Sequence, residues 1–310
     1  LDSIIADYEI WLRITKGKNG FRRSEKHISN TMSKIRAIVN GCKFRTWDDI
    51  RKSAVETYLG RLSISTGYYN LFVQAIKQFC RWCVRENKAE YSPVQFLERL
   101  SMPDEEKRQA LSYEAVCRLL TATAKAPDRY GMSGLERAIL YIVAVQSGLR
   151  ANELRHLTVG DFDAKKATLT LKAEYCKDRR GACQFITLAL ASHLSDYIDG
   201  RDGKDPLFGM WSQRTAEMIK ADAIDAGLPL IDDKGRELVF HSTRHTLRTE
   251  LVRCRISESI IDRILRHKPQ GIGQRIYTHV SPFEIRAAIE KLPAYPWPGD
   301  IQKAEKAKVS

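Results

Sequence analysis

"SGLERAILYIVAVQSGL", residues 133–149, decides how the second half of this chain folds. Its apolar residues fall on nearly every face of a helical projection, so the helix it predicts must be buried all round. Gly148 supplies the stop. A helix with no solvent face needs other elements on every side, and the flanking sequence offers them. "ATLTLK" (167–172) alternates strictly, with Ala167, Leu169 and Leu171 on one face, which predicts a strand. "QFITLAL" (184–190) reads as its return partner, with "AEYCKDRRGA" between them. Helical spacing resumes in "SQRTAEMIKADAIDAG" (212–227), "FHSTRHTLRTEL" (240–251) and "SESIIDRILRH" (257–267). The last is anchored by Ile260, Ile261, Ile264 and Leu265.

Towards the N-terminus the pattern changes. Proline, charges and no apolar period mark residues 101–111, within "RLSMPDEEKRQALS", as a linker. Residues 1–100 carry helical periods alone: "LDSIIADYEIWLRI", "SEKHISNTMSKIRAIVNGC", "TWDDIRKSAVETYLGRL" with Thr46 as its expected N-cap, and the aromatic-rich 68–87. Four amphipathic helices suffice for a small bundle. The chain is thus expected to be mainly α. A helical domain over 1–100 precedes a mixed domain over 112–293, whose helices surround a small antiparallel sheet. A basic tail covers 294–310.

Composition narrows the partner. Lys and Arg number 51 against 38 Asp and Glu, for a net charge of +13 and a pI near 9.4. That balance points to a polyanion, DNA or RNA first and an acidic membrane surface second. Insertion into a bilayer is not expected, because no apolar run approaches the ~20 residues needed. The chain begins at Leu1 rather than Met, as a truncated chain would. Seven scattered cysteines do not form a disulfide framework, and a reducing cytoplasm fits them best. "CRWC" (80–83) has metal or redox spacing, but it sits in an apolar helical run without a second pair, so core thiols are expected.

Several residues bear on chemistry. His241, Arg244 and His245 share one side of a helix, since they lie three and four residues apart. The H-x-x-x-H spacing invites zinc, but Ser242 stands where a metalloprotease carries glutamate. A solvated polar face remains the plain alternative. Arg150 follows Gly148, where its guanidinium emerges from the buried helix. With Arg244 it makes two planar forks, each suited to a phosphate. Tyr277, in "RIYTHV" (275–280), is either half-buried packing or a nucleophile, and only the company it keeps decides between them.

The ordered set "SGLRANEL", a lysine-bearing hairpin, "HSTRH", "LRH" and "IYTHV" resembles the tyrosine recombinases, the phage integrase family. The resemblance runs from about residue 110 to 293, with a match to the N-terminal half that is only architectural. It implies an N-terminal core-binding domain and a C-terminal catalytic domain of the tyrosine recombinase type, clamped on duplex DNA. It also implies a site-specific recombinase or integrase that works through a 3′-phosphotyrosine intermediate, as a tetramer on two DNA sites. Carried over residue by residue, Arg150 and Arg244 match the phosphate-gripping arginines and Lys177 the hairpin lysine that protonates the departing 5′-oxygen. His241 matches the first histidine of H-x-x-R, His267 the later histidine, and Tyr277 the nucleophile. Glu153 and His245 fill the supporting positions. Two departures stand out. Arg266 replaces a common glycine, and Lys172 competes with Lys177, although "CKDRR" fits the family pattern better.

Physical chemistry supports these roles independently. Two arginines neutralise a phosphodiester and stabilise the charge that grows in its transition state. A phenol with a pKa near ~10 needs cationic neighbours to attack at pH 7. The leaving alkoxide needs a proton. No metal or other cofactor is needed by this scheme. A type IB topoisomerase uses the same chemistry without synapsis, and a non-enzymatic basic DNA-binding regulator would need none of the ordered residues.

The charge generates a first prediction. DNA affinity should fall steeply with salt, with a log–log slope of about 0.9 per neutralised phosphate. Binding that stays flat from low to moderate salt would remove the clamp.

Overall fold

The computed structural model describes residues 1–17, 20–102, 106–176, 179–209, 214–267 and 280–301. The chain divides into two compact units, Leu1–Glu105 and Glu106–Ser310. The architecture is mainly helical with one three-stranded antiparallel sheet, as the periodicities require. Among the described residues no helix is long and apolar enough to cross a membrane.

The first unit holds helices α1 (Asp2–Ile14), α2 (Glu25–Gly41), α3 (Lys52–Gly60) and α4 (Thr66–Arg85). Ser24 and Ser65 cap α2 and α4 by accepting the N–H groups of His27 and Tyr68. Each cap satisfies a donor that the first helical turn leaves open. Tyr8, Leu12, Ile28, Ile35, Phe79 and Trp82 fill the core, with Tyr8 edge-on to Phe79 at 5.4 Å. Gly41 is there for space: a Cβ would fall 2.1 Å from the Tyr58 ring. The "CRWC" cysteines are buried in this core. Burial pushes the Cys83 thiol up to about 12, so it packs as a neutral group. Thr46 does not cap α3, which begins six residues later at Lys52. The Asp49 carboxylate instead accepts the N–H groups of Arg45 and Thr46, both at 2.8 Å, and folds that segment into a turn.

The second unit is built around α6 (Gly134–Ser147). Ser133 and Glu136 close a capping box at its start, and Gly148 ends it in the left-handed conformation at φ 64°. From Arg137 to Ser147 every residue is buried. Helices α5 (Tyr113–Lys125), α9 (Thr215–Asp225) and α10 (Ser242–Arg253) belong to this unit, as do short α7 (Ala151–Arg155) and α8 (Leu188–Tyr197). Strands β1 (Phe162–Asp163), β2 (Thr168–Leu171) and β3 (Ala182–Phe185) pair in chain order, with Leu171 opposite Ala182 and Thr168 opposite Phe185. The return strand is shorter than its sequence suggested. Thr187 caps α8 by accepting the Leu190 N–H, so the apolar run after Phe185 turns helical.

Helix α11 (Glu258–Ile264) and the helix Pro282–Ile289 share a smaller core of Leu247, Leu251, Ile261, Ile264, Leu265 and Ile289. The second of these helices opens with a Ser281–Glu284 capping box and a proline in its first turn. Arg286 ties it to the sheet by donating to the carbonyls of Lys166 and Ile186, with its guanidinium 4.6 Å above the Phe185 ring.

A charge also lies inside this unit. Arg137 on α6 and Asp222 on α9 are both wholly buried and meet through two hydrogen bonds of 2.9 Å. The Tyr141 hydroxyl donates to the same carboxylate at 2.7 Å, and the carbonyls of Pro127 and Met132 both accept from Nη1 of Arg137. A buried pair this fully satisfied is tolerated, whereas half of one is not. Asp222→Ala should therefore destabilise the protein by about 3–5 kcal/mol in denaturant unfolding. The double variant Arg137→Met/Asp222→Leu should recover most of that loss.

Candidate active site

Three turns of the second unit meet at one place. The first is Gly148–Leu149–Arg150, which leaves the buried helix. The second is the start of α10, which carries His241 at its N-cap and Arg244 in its first turn. The third is Leu265–Arg266–His267, which follows α11. Arg244 joins them. It is 4% exposed, and its guanidinium donates to the Gly148 carbonyl at 2.6 Å and to the Leu265 carbonyl. Burial first, and then the charges of Arg150 and Arg266, push its pKa down to about 10, so it stays a cation at neutral pH.

Glu153 makes the second tie. Its carboxylate accepts the Arg150 N–H at 2.8 Å, the Arg150 guanidinium at 3.0 Å and the Arg266 guanidinium at 2.5 Å. Burial alone would push this carboxyl up. The hydrogen bond and charge of Arg266 and the contacts from Arg150 outweigh it and hold the group below its usual range. The Arg150 side chain remains 30% exposed, so part of its fork is open to a ligand. Arg266 occupies the left-handed region at φ 52°. That conformation costs a non-glycine residue about 1–3 kcal/mol and persists only where its surroundings hold it.

The histidines differ in their surroundings. The His241 ring stands edge-on to His245 at 5.3 Å. Desolvation by the protein around it comes first, followed by the electrostatic influence of His245, Arg244, Arg150 and Arg108. Together they push its pKa down to about 4. His245 Nδ1 lies 3.3 Å from Glu106. His267 Nδ1 lies 3.1 Å from Asp262, and because an ionised carboxylate only accepts, the proton belongs on Nδ1 in the neutral ring. Desolvation nevertheless lowers the His267 pKa, against the pull of Asp262.

Arg150, Glu153, His241, Arg244, His245 and His267 are thus placed by the three turns and their immediate neighbours. Lys177 and Tyr277 lie outside the described residues. Lys172 follows β2 and sits 3.5 Å from Asp161. It lines a small cleft with Glu153, His156, Tyr175 and Cys176. The His156 ring stacks on Tyr175 at 3.8 Å, which holds the base of the hairpin against α7. Among the described residues no group of three His, Cys, Asp or Glu side chains is arranged to hold a metal ion. Sequence reasoning missed two partners. Arg266 registers only as an added charge until its contact with Glu153, 113 residues away, is visible. Asp262 carries no sequence signal at all, since a five-residue separation places it under His267 only when the helix stops at Ile264.

The family model of the phage integrase family matches residues 109–283, over half of the chain and a span within which the three turns lie. The chain belongs to the phage integrase family. Among curated family members, it is 25% identical over 215 residues to tyrosine recombinase XerC of Chlamydia trachomatis, covering 67% of this chain. The chain spans 65% of the length of that relative. It is 26% identical to tyrosine recombinase XerA of Pyrococcus furiosus, over 72% of this chain and 73% of the relative. The lambda integrase tetramer bound to a Holliday junction superposes with a TM-score of 0.70 at 17% identity, over 90% of this chain and 80% of the other. A shared integrase fold accounts for that likeness.

Burial of the His241 ring, with the cations around it, makes a titration prediction. His241 should protonate with a midpoint near 4 rather than 6.5 when followed by NMR. Between those values the unfolded chain binds more protons than the folded one, so stability rises with pH there. Wild type should therefore gain stability relative to His241→Asn from pH 4 to about 6.5 and hold level above it. A midpoint of 6 or higher would mean that the ring is neither desolvated nor faced by these cations.

Proposed function

We propose that this protein is a site-specific DNA recombinase or integrase that cuts and rejoins strands through a 3′-phosphotyrosine. What carries the reading is the meeting of Arg150, His241, Arg244 and His267 on three turns that Arg244 draws together. Two fixed guanidiniums suit the non-bridging oxygens of a phosphodiester, and they gain strength as negative charge accumulates in the transition state. His241, largely neutral at pH 7, can donate an N–H to the same phosphate, whereas neutral His267 keeps its proton on Nδ1 towards Asp262 and presents Nε2 as an acceptor. Glu153 and His245 support the constellation from behind.

The chemistry then follows the family pattern. The Tyr277 oxygen attacks phosphorus, the phenol's proton passes to solvent, and the P–O5′ bond breaks. Lys177 hands a proton to the departing 5′-oxygen. The phosphotyrosine conserves the bond energy, so attack by another 5′-hydroxyl reverses the step without a nucleotide cofactor. The basic helical unit would act as the core-binding domain and add its own phosphate contacts, of the kind that its net-positive loops favour. Four copies on two sites would exchange strands, by analogy with the lambda integrase tetramer. Such an enzyme acts on chromosomal or phage DNA in the cytoplasm, where the buried thiols of Cys80 and Cys83 stay reduced.

Incubation with DNA fragments from the protein's own genomic neighbourhood should trap a covalent complex whose nucleotide-bearing peptide contains Tyr277. Tyr277→Phe should bind the same DNA without cutting it. Arg150→Ala should slow cleavage ~10²–10³-fold while leaving binding largely intact. An adduct on Tyr175 or a serine, or nicking by the phenylalanine variant, would overturn the assignment. Relaxation of supercoils by a lone protomer, with no strand exchange, would make the protein a topoisomerase instead.

A further inference from the structure

We propose that Arg266 is a positioning residue that locks Arg150 and His267 into one geometry by gripping Glu153 between their two turns. The inference rests on the functional reading above and adds a residue to it. Two braces connect the same turns. Arg244 spans from the Gly148 carbonyl to the Leu265 carbonyl, and the Glu153 carboxylate spans from Arg150 to Arg266. One brace controls the backbone. The other controls the direction of the Arg150 fork, because Glu153 holds both its N–H and its guanidinium.

Arg266 is poorly suited to its backbone position. A left-handed φ of 52° favours glycine, yet an arginine stands there with its side chain only 16% exposed. Its Nε is buried without a hydrogen-bond partner, and Nη1 reaches only the Cys176 sulfur, at 3.8 Å. A short contact to Glu153 is what this side chain gains in return. The residue next in sequence is His267, so whatever fixes Arg266 also fixes the start of the His267 ring's path. Misplacement of a catalytic group by about 1 Å can cost 10²-fold in rate, which gives such a brace its leverage.

Arg266→Gly and Arg266→Lys in the full chain separate the possibilities. Single-turnover cleavage by the glycine variant should fall about 10–100-fold with DNA affinity and the salt slope unchanged. The lysine variant, which restores a charge beside Glu153, should recover part of the rate. Cleavage by Arg266→Gly at the wild-type rate would overturn the brace. A salt slope lowered by about 0.9 would also overturn it, by making Arg266 a phosphate ligand.

A second measurement does not need DNA. The charged groups facing Glu153 are Arg150, Arg266 and Arg244, and His156, Asp161 and Lys172 line the cleft behind it. Its lowered pKa in the fold yields stability that is present above the unfolded carboxyl range and lost as pH falls through the folded value. Wild type should therefore gain melting temperature relative to Arg266→Gly as pH rises from about 3 to 6. Parallel curves would show that Arg266 does not hold Glu153. If wild type itself fails to cleave DNA, the functional reading fails, while these curves still decide whether the brace exists.

Discussion

A guanidinium buried among backbone carbonyls governs the second unit. Arg244 cannot shed its charge at neutral pH, so burying it requires that its donors be taken up. The Gly148 and Leu265 carbonyls take one from each terminal nitrogen, which leaves donors for a ligand. Both belong to residues that close a helix, and carbonyls at helix ends have no partner within the helix. The arginine thus meets two needs with one group, and in doing so it fixes where Arg150 and His267 stand. Gly148 is indispensable to the arrangement. Its left-handed φ allows the turn, and any Cβ there would come within 2.7 Å of Leu247.

The frame beneath this tie is α6. A helix buried on all sides cannot shift without disturbing every neighbour, so the turn at its C-terminus is held to its place. Its other end is held by the Ser133–Glu136 capping box and by Arg137, in the first turn, reaching Asp222 on α9. Buried ion pairs add little net stability over apolar substitutes, but they do tie particular elements together. Here the pair links α6 to α9 at the opposite end from Gly148, leaving the site end to Arg244.

Much of this was legible before the fold was seen, and unevenly so. The buried helix at 133–149 was plain, because an apolar pattern without a polar face admits one arrangement. The strand at 168–171 was plain through alternation. The return strand was read too long, since "QFITLAL" is apolar whether extended or helical, and the Thr187 cap decides where the change comes. Thr46 had the right chemistry for a cap, but the Asp49 carboxylate accepts the Arg45 and Thr46 N–H groups and turns the segment, so the helix starts only at Lys52. At the site, the residues in ordered motifs could be named from sequence. Their ties could not, because the Arg244 carbonyl contacts and the Glu153–Arg266 pair link segments about a hundred residues apart.

The site is charged against itself. Around one carboxylate stand Arg150, Arg244 and Arg266, and this crowding adds to burial, the larger cause, in making the Arg244 guanidinium easier to deprotonate than usual and in keeping a proton off His241. Such repulsion is stored by the fold, since Glu153 offsets only part of it. An anion placed among these groups would relieve it, and a more negative anion would relieve more. In the proposed reaction the phosphoryl group gains negative charge on its oxygens as the tyrosine attacks, so the relief is greatest at the transition state. Binding energy that grows as the reaction proceeds lowers the barrier, whereas equal attraction to substrate and transition state would not. The crowding of positive charge that makes this corner of the protein costly to fold is therefore the same property that suits it to phosphoryl transfer.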